Sequence, residues 1–265
     1  LDHEGGEEMR MYKLFAWAVP ALLLGACRPS SGGKDLALLP GGPAWGALFQ
    51  QRAAEYRALC YQAYNLATLR LDALAQLPSA LPKAIITDID ETVLDNSPYF
   101  VAQARAGKTY DDSSWIRWTA KEQCDTVPGA VQFLRHAKEL GVTVFYVTNR
   151  FQPETAATLA NLRKFNLPDV DSAHLFLSDG NSSKDSRRAF IANNYEVVLW
   201  IGDNLGDFSG IFSAKDRGQQ VDSNKTRFGD RFIVLPNAMY GAWEDVLYKD
   251  RKEDRNVILN GELKM

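Results

Sequence analysis

Two apolar runs in this chain end in acidic residues whose spacing suits metal-assisted chemistry. Ala84-Ile85-Ile86-Thr87 leads into Asp88-Ile89-Asp90, and Val197 to Ile201 leads into Gly202-Asp203-Asn204-Leu205-Gly206-Asp207. A third run, Thr143 to Val147, closes on Thr148-Asn149-Arg150. Carboxylates brought to one pocket repel one another, and they stay ionised only where a cation neutralises them. Hard oxygen donors with no His or Cys cluster beside them point to magnesium, which binds through one or two carboxylates, waters and a substrate phosphate.

Those residues must be brought together, and the elements around them say how. The three runs, with His174-Leu175-Phe176-Leu177 and Phe232-Ile233-Val234-Leu235, read as buried strands. Segments 129–140, 153–165 and 183–193 between them have helical periodicity, and strands alternating with helices predict a parallel sheet. Ligands bind such sheets outside the carboxyl ends of the strands, where residues far apart in sequence meet. Upstream, Trp45, Leu48, Phe49, Ala53, Tyr56, Leu59, Cys60, Ala63, Leu66, Ala67 and Leu74 recur at three- and four-residue steps, predicting one long amphipathic helix or two joined ones. The prolines of Leu77-Pro78-Ser79-Ala80-Leu81-Pro82 end it. Residues 96–127, rich in aromatics and charges, read as an inserted helical lid.

The run from Asp88 through Glu91-Thr92-Val93-Leu94-Asp95-Asn96-Ser97-Pro98 to Tyr99, together with Ile201 to Phe208, resembles the paired signatures of the class C acid phosphatases of the haloacid dehalogenase superfamily. Thr148 and Lys184 fit that superfamily's second and third motifs, so the resemblance runs from about Trp45 to the C-terminus. It implies an α/β fold of haloacid dehalogenase-like, Rossmannoid type: a parallel sheet flanked by helices, with a small helical lid from about 45–80 and 96–127. It also implies an acid phosphatase or 5′-nucleotidase type of phosphomonoesterase. In this resemblance Asp88 attacks phosphorus to form an aspartyl-phosphate, and Asp90 protonates the leaving oxygen and then activates water. Magnesium is held by the Asp88 side chain, the Asp90 backbone carbonyl and Asp203, with Asp207 in support. Thr148, Asn149 and Lys184 hold the phosphate oxygens, with Arg187 and Arg188 as alternatives to Lys184. Tyr99, Trp115, Trp118 and Tyr240 sandwich a nucleoside base or another ring. A ligand-binding lipoprotein for haem or nucleotide, and a phosphotransferase using the same intermediate, are the rival readings.

Residues 1–26 read as a secretion signal, with basic Met9 to Lys13, apolar Leu14 to Leu24 and small Gly25-Ala26 before Cys27. Cys27 then resembles a lipidated lipobox cysteine and 27–44 a flexible tether, which predicts a bacterial cell-envelope lipoprotein of outer-membrane type held to the membrane by its anchor. Leu1 to Glu8 has no assignable role. A formal net charge of −3 in 265 residues carries no basic excess of the kind that holds a nucleic acid polymer. The partners expected are a small phosphomonoester, the membrane and, as in many relatives, a second copy in a homodimer. Cys60 and Cys124 could pair or stay apart. Asp95, Asn149 and Asn204 suit helix caps as well as site roles, and Trp115 and Trp118, at i and i+3, suit lid packing as well as a substrate platform.

Overall fold

The structure is a computed structural model and describes residues 37–213 and 216–264. Residues 1–26, expected to be a secretion signal, and Cys27 lie outside the described residues. Helices α1 (Gly41–Arg52) and α2 (Ala54–Ala75) come first, then β1 (Lys83–Thr87). A short hairpin of β2 (Leu94–Asp95) and β3 (Asp125–Thr126) brackets α3 (Ser97–Arg105) and α4 (Asp112–Thr119). The chain then alternates: α5 (Ala130–Glu139), β4 (Thr143–Phe151), α6 (Thr155–Lys164), β5 (Leu175–Ser178), α7 (Asp185–Ala192) and β6 (Glu196–Gly202). It finishes with α8 (Arg217–Ser223), β7 (Phe232–Val234), α9 (Ala242–Tyr248) and α10 (Arg255–Glu262).

The five long strands form one sheet in the order β5-β4-β1-β6-β7, every pair parallel. Side chains alternate across a strand, so a sheet covered on both faces needs apolar residues at every position. Ile85, Val144 and Tyr146 face one core with Tyr64, Leu71 and Phe133 of the flanking helices. Ala84, Ile86, Phe145 and Val147 face the other, against Ile191 of α7. The fold class expected from the strand-and-helix alternation is the one observed.

The N-terminal segment differs from its expectation in two ways. Ala53 takes an extended conformation (φ −78°, ψ 127°) and breaks the helix, which resets the phase of the apolar stripe. Tyr56, Cys60, Tyr64, Ala67, Leu71 and Leu74 are buried, whereas Trp45 is 74% exposed, and Leu48, Phe49, Leu59 and Leu66 also face solvent. Residues 45–80 therefore do not act together as a lid: α2 packs on the sheet with α5, while α1 sits beside α3. Nor is the whole of 27–44 a tether. Among its described residues the Leu39 N–H donates to Asn256 Oδ1 at 2.7 Å, tying the start of the domain to α10, and α1 begins at Gly41. Cys60 and Cys124 are both buried free thiols. Among the described residues no helix is long and apolar enough to cross a membrane.

Candidate active site

Asp88 is the first residue beyond β1, and its N–H donates to the Ile201 carbonyl on β6 at 2.9 Å, which fixes it at the strand ends. The chain then folds back on itself, with the Ile89 carbonyl accepting from Val93 and Leu94, both at 2.8 Å. Glu91 takes a left-handed conformation (φ 56°) that is uncommon outside glycine. Its buried carboxylate holds the turn by accepting from the Asn96 N–H at 2.7 Å and from the Tyr240 hydroxyl. On β6, Gly202 is followed by Asp203 and a short turn over Leu205–Asp207, where Asn204 Oδ1 accepts from Gly206 N. A Cβ on Gly202 would overlap the Asp207 carboxylate, so only glycine lets the turn close there.

These two loops bring Asp88, Asp203 and Asp207 together, with one oxygen of each within 4.8 Å of the others. Lys184 reaches between them: its Nζ donates to Asp88 Oδ1 at 2.6 Å and to Asp207 Oδ1 at 2.7 Å. Burial, followed by the charges of Asp207 and Asp90, pushes the Asp88 carboxyl up to about 7 against the pull of Lys184. Asp203 is raised well above the usual carboxylate range by burial and by Asp207 and Asp88. Burial disfavours the Lys184 ammonium, but Asp207 and Asp88 outweigh it and leave its pKa raised. Three carboxylates against one ammonium are under-neutralised, and all-oxygen donors this close together suit a hard divalent ion.

A pH dependence follows with a definite sign. Between about pH 4 and 7 the folded, metal-free chain keeps protons on Asp88 that the unfolded chain has released, so stability falls as pH rises through that window. Thermal unfolding in chelator should give a lower Tm at pH 7.5 than at pH 5.5. A divalent ion such as magnesium, if held by these carboxylates, would raise Tm more at the higher pH, because it would replace those protons. An equal magnesium shift at both pH values would count against the shared site.

The Asp90 carboxylate is not one of the converging three. It turns to Arg150, whose Nη2 lies 2.7 Å and Nε 3.0 Å from Oδ1, with Nε also 3.2 Å from Oδ2. Asn96 Nδ2 adds a bond to Oδ1 at 2.8 Å. Arg150 is 2% exposed and also donates to Thr158 Oγ1 at 3.2 Å. Thr148 is fully buried; its hydroxyl contacts Asp90 Oδ2 at 3.4 Å and accepts from the Arg150 N–H, so it supports Asp90 and does not face the cavity. Asn149 does line the cavity, with its Oδ1 accepting from Arg187. Arg187 and Arg188 do not replace Lys184: Arg187 also donates to the Thr148 carbonyl, and Arg188 donates to the carbonyls of Gly206 and Asp207.

The cavity above the carboxylates measures about 680 Å³. Of the four aromatics expected to meet substrate, Trp115 and Tyr240 line it. Tyr99 and Trp118 stand behind, Tyr99 against the Ser114 hydroxyl at 2.8 Å and Trp118 donating from Nε1 to Asn96 Oδ1 at 2.9 Å. Phe100, stacked on Tyr240 with centroids 4.8 Å apart, and the half-exposed Tyr110 take part instead, with Tyr248 at the rim. Sequence reasoning missed these, and also Arg150 and Asn237, whose Nδ2 donates to Asp203 Oδ2 at 2.8 Å. The available signal for Arg150 was its place in the polar cluster Thr148-Asn149-Arg150 that closes an apolar strand run. Asp95 accepts from the Ser97 N–H and, like Asn204, shapes a local turn.

Comparison with known proteins gives the family. Residues 46–243 match the model of the HAD superfamily, subfamily IIIB (acid phosphatase). The structure of the class C acid phosphatase from Bacillus anthracis superposes with a TM-score of 0.81 at 37% identity, over 85% of this chain and 98% of that one. Its tungstate-bound form gives 0.82 at the same identity, over 86% and 98%. Among curated relatives, a stem 31 kDa glycoprotein of Glycine max is 26% identical over 161 residues, 58% of either chain. Acid phosphatase 1 of Solanum lycopersicum is 24% identical, over 58% of this chain and 57% of its own. The chain thus spans little more than half the length of the curated relatives it matches. With a family model covering most of its length and a close structural relative, the chain belongs to the acid phosphatases of the HAD superfamily, subfamily IIIB.

Proposed function

We propose that the chain is a magnesium-dependent phosphomonoesterase acting through an aspartyl-phosphate on small organic phosphates with aromatic leaving groups, nucleoside monophosphates foremost. One observation carries this reading: Asp88, Lys184, Asp203 and Asp207 converge in a cavity that Phe100, Tyr110, Trp115 and Tyr240 also line. Asp88 supplies the nucleophilic oxygen, forming a P–O bond as the ester P–O bond breaks. Lys184 steadies the Asp88 carboxylate and offers positive charge to the phosphoryl oxygens. Asp90, oriented by Arg150, takes up the proton of the substrate monoanion, passes it to the leaving alkoxide and takes one from the water that hydrolyses the acyl phosphate, releasing phosphate and restoring both carboxyl groups. Magnesium, held by Asp88, Asp203 and Asp207 with the Asp90 carbonyl, would lessen repulsion between the carboxylates and the phosphate. The Bacillus anthracis relative binds tungstate, an oxyanion shaped like phosphate, which supports a phosphate-binding reading here. The two described histidines pair with Asp72 and Asp171 away from the cavity, so neither is placed to ligate a haem there.

The test is phosphate release from nucleotides, an aryl phosphate and glycerol phosphate, with magnesium and with chelator, for wild type and Tyr110→Ala. Stacking on an aromatic is worth about 1–3 kcal/mol per base, so the variant should raise KM roughly tenfold for ring-bearing substrates and leave glycerol phosphate unchanged. Equal KM changes across the panel would remove the aromatic reading, and full activity in chelator would remove the metal.

We also propose that the protein works at the bacterial cell envelope as a lipoprotein, a reading supported by Leu24-Gly25-Ala26-Cys27 alone. Cys27→Ser should release active enzyme from the membrane fraction. Retention of that variant would argue for another mode of attachment.

A further inference from the structure

The segment from Leu235 to Gly241, between β7 and α9, touches both halves of the site. Asn237 Nδ2 donates to Asp203 Oδ2 at 2.8 Å, while its Oδ1 accepts from the Met239 N–H at 2.8 Å. The second bond fixes the amide: with its oxygen committed to Met239, the NH2 group must face Asp203. Met239 is buried with Ala47, Tyr99, Phe100 and Trp115, and the Tyr240 hydroxyl reaches Glu91. Glycines permit this close fit. A Cβ on Gly46 of α1 would come within 2.8 Å of Met239 Cγ and 2.9 Å of the Ala238 carbonyl, and one on Gly241 within 2.8 Å of Asn204 Nδ2.

We propose that Asn237 is a positioning residue for the metal site: by holding one oxygen of Asp203 it aims the other at the ion, and through Met239 and Tyr240 the same segment sets the aromatic wall. This rests on the magnesium reading above. Among the described residues Asp203 is otherwise held only by a long contact from the Thr92 hydroxyl, 3.3 Å to Oδ1. Without Asn237 the carboxylate is free to rotate, and its neighbours Asp88 and Asp207 repel it. Losing an outer partner of a metal-ligating side chain typically weakens metal affinity by about 10–100-fold.

The measurement is calorimetric titration of magnesium into the purified full chain without substrate, for wild type, Asn237→Ala and Asn237→Ser. Serine keeps an acceptor for the Met239 N–H, as serine does in turns of this kind, but is too short to reach Asp203. It therefore separates loss of the Asp203 contact from loss of the turn, and it decides the matter if the alanine variant folds poorly. Both variants should bind magnesium about 10–100-fold more weakly, with kcat recovering as magnesium is raised. Wild-type affinity in folded Asn237→Ser overturns the positioning role. A wild-type chain that binds no magnesium overturns the metal reading itself, a result distinct from the first.

Discussion

Asp88→Asn is expected to cut phosphate release by about 10⁴-fold or more, the scale on which loss of a nucleophile is felt in hydrolases that act through a covalent intermediate. The amide is the same size and keeps an oxygen for the Lys184 ammonium, so the defect should lie in the chemistry and not in folding. Burial makes the ionised form of Asp88 costly, and the variant removes that charge. In chelator at neutral pH its Tm should therefore match or exceed that of wild type. Phosphate release and thermal scans on the same preparation test both halves. Turnover near the wild-type rate would end the covalent mechanism, and a large fall in Tm would mean that Asp88 holds the fold together.

Arg150→Met should produce the largest loss of stability of any single change at the site. The guanidinium is almost fully enclosed and makes three close contacts to Asp90, so its removal strands a carboxylate in a poorly solvated place. Breaking a buried ion pair from one side costs about 3–5 kcal/mol. For a domain of this size that is a fall in Tm of roughly 10 °C. Asp90→Asn in the Arg150→Met background should recover part of the loss, since it removes the stranded charge. Activity should stay low in both variants, because Asp90, the proposed proton donor, has lost either its orientation or its acid. A double variant no more stable than Arg150→Met alone would show that Arg150 acts through shape and not through its charge.

Much of this architecture was readable from residue order, because the sheet is apolar on both faces and its strands stand out as unbroken runs such as Ala84 to Thr87. The acidic motifs were readable for the same reason: Asp88 and Asp203 come where apolar runs stop. Partnerships across the fold were not. Arg150 meets a residue 60 positions away and Asn237 one 34 positions away, and neither spacing leaves a periodic trace. The aromatics show the limit most clearly. Tyr99 and Phe100 are adjacent in α3, yet only Phe100 meets the cavity, a difference set by how α3 rotates against α1 and α4. The stripe from Trp45 to Leu74 misled because one extended residue, Ala53, divides it into two helices with different buried sides.

The bond from Leu39 to Asn256 joins residues 217 positions apart, and Leu39, Pro40, Tyr248 and Arg255 all border the cavity mouth. The sheet and its carboxylates thus come from the middle of the chain, whereas the opening above them takes one rim from Leu39 and Pro40 and the other from Tyr248 and Arg255. Trimming a few residues from either border should therefore blur substrate choice before it abolishes turnover.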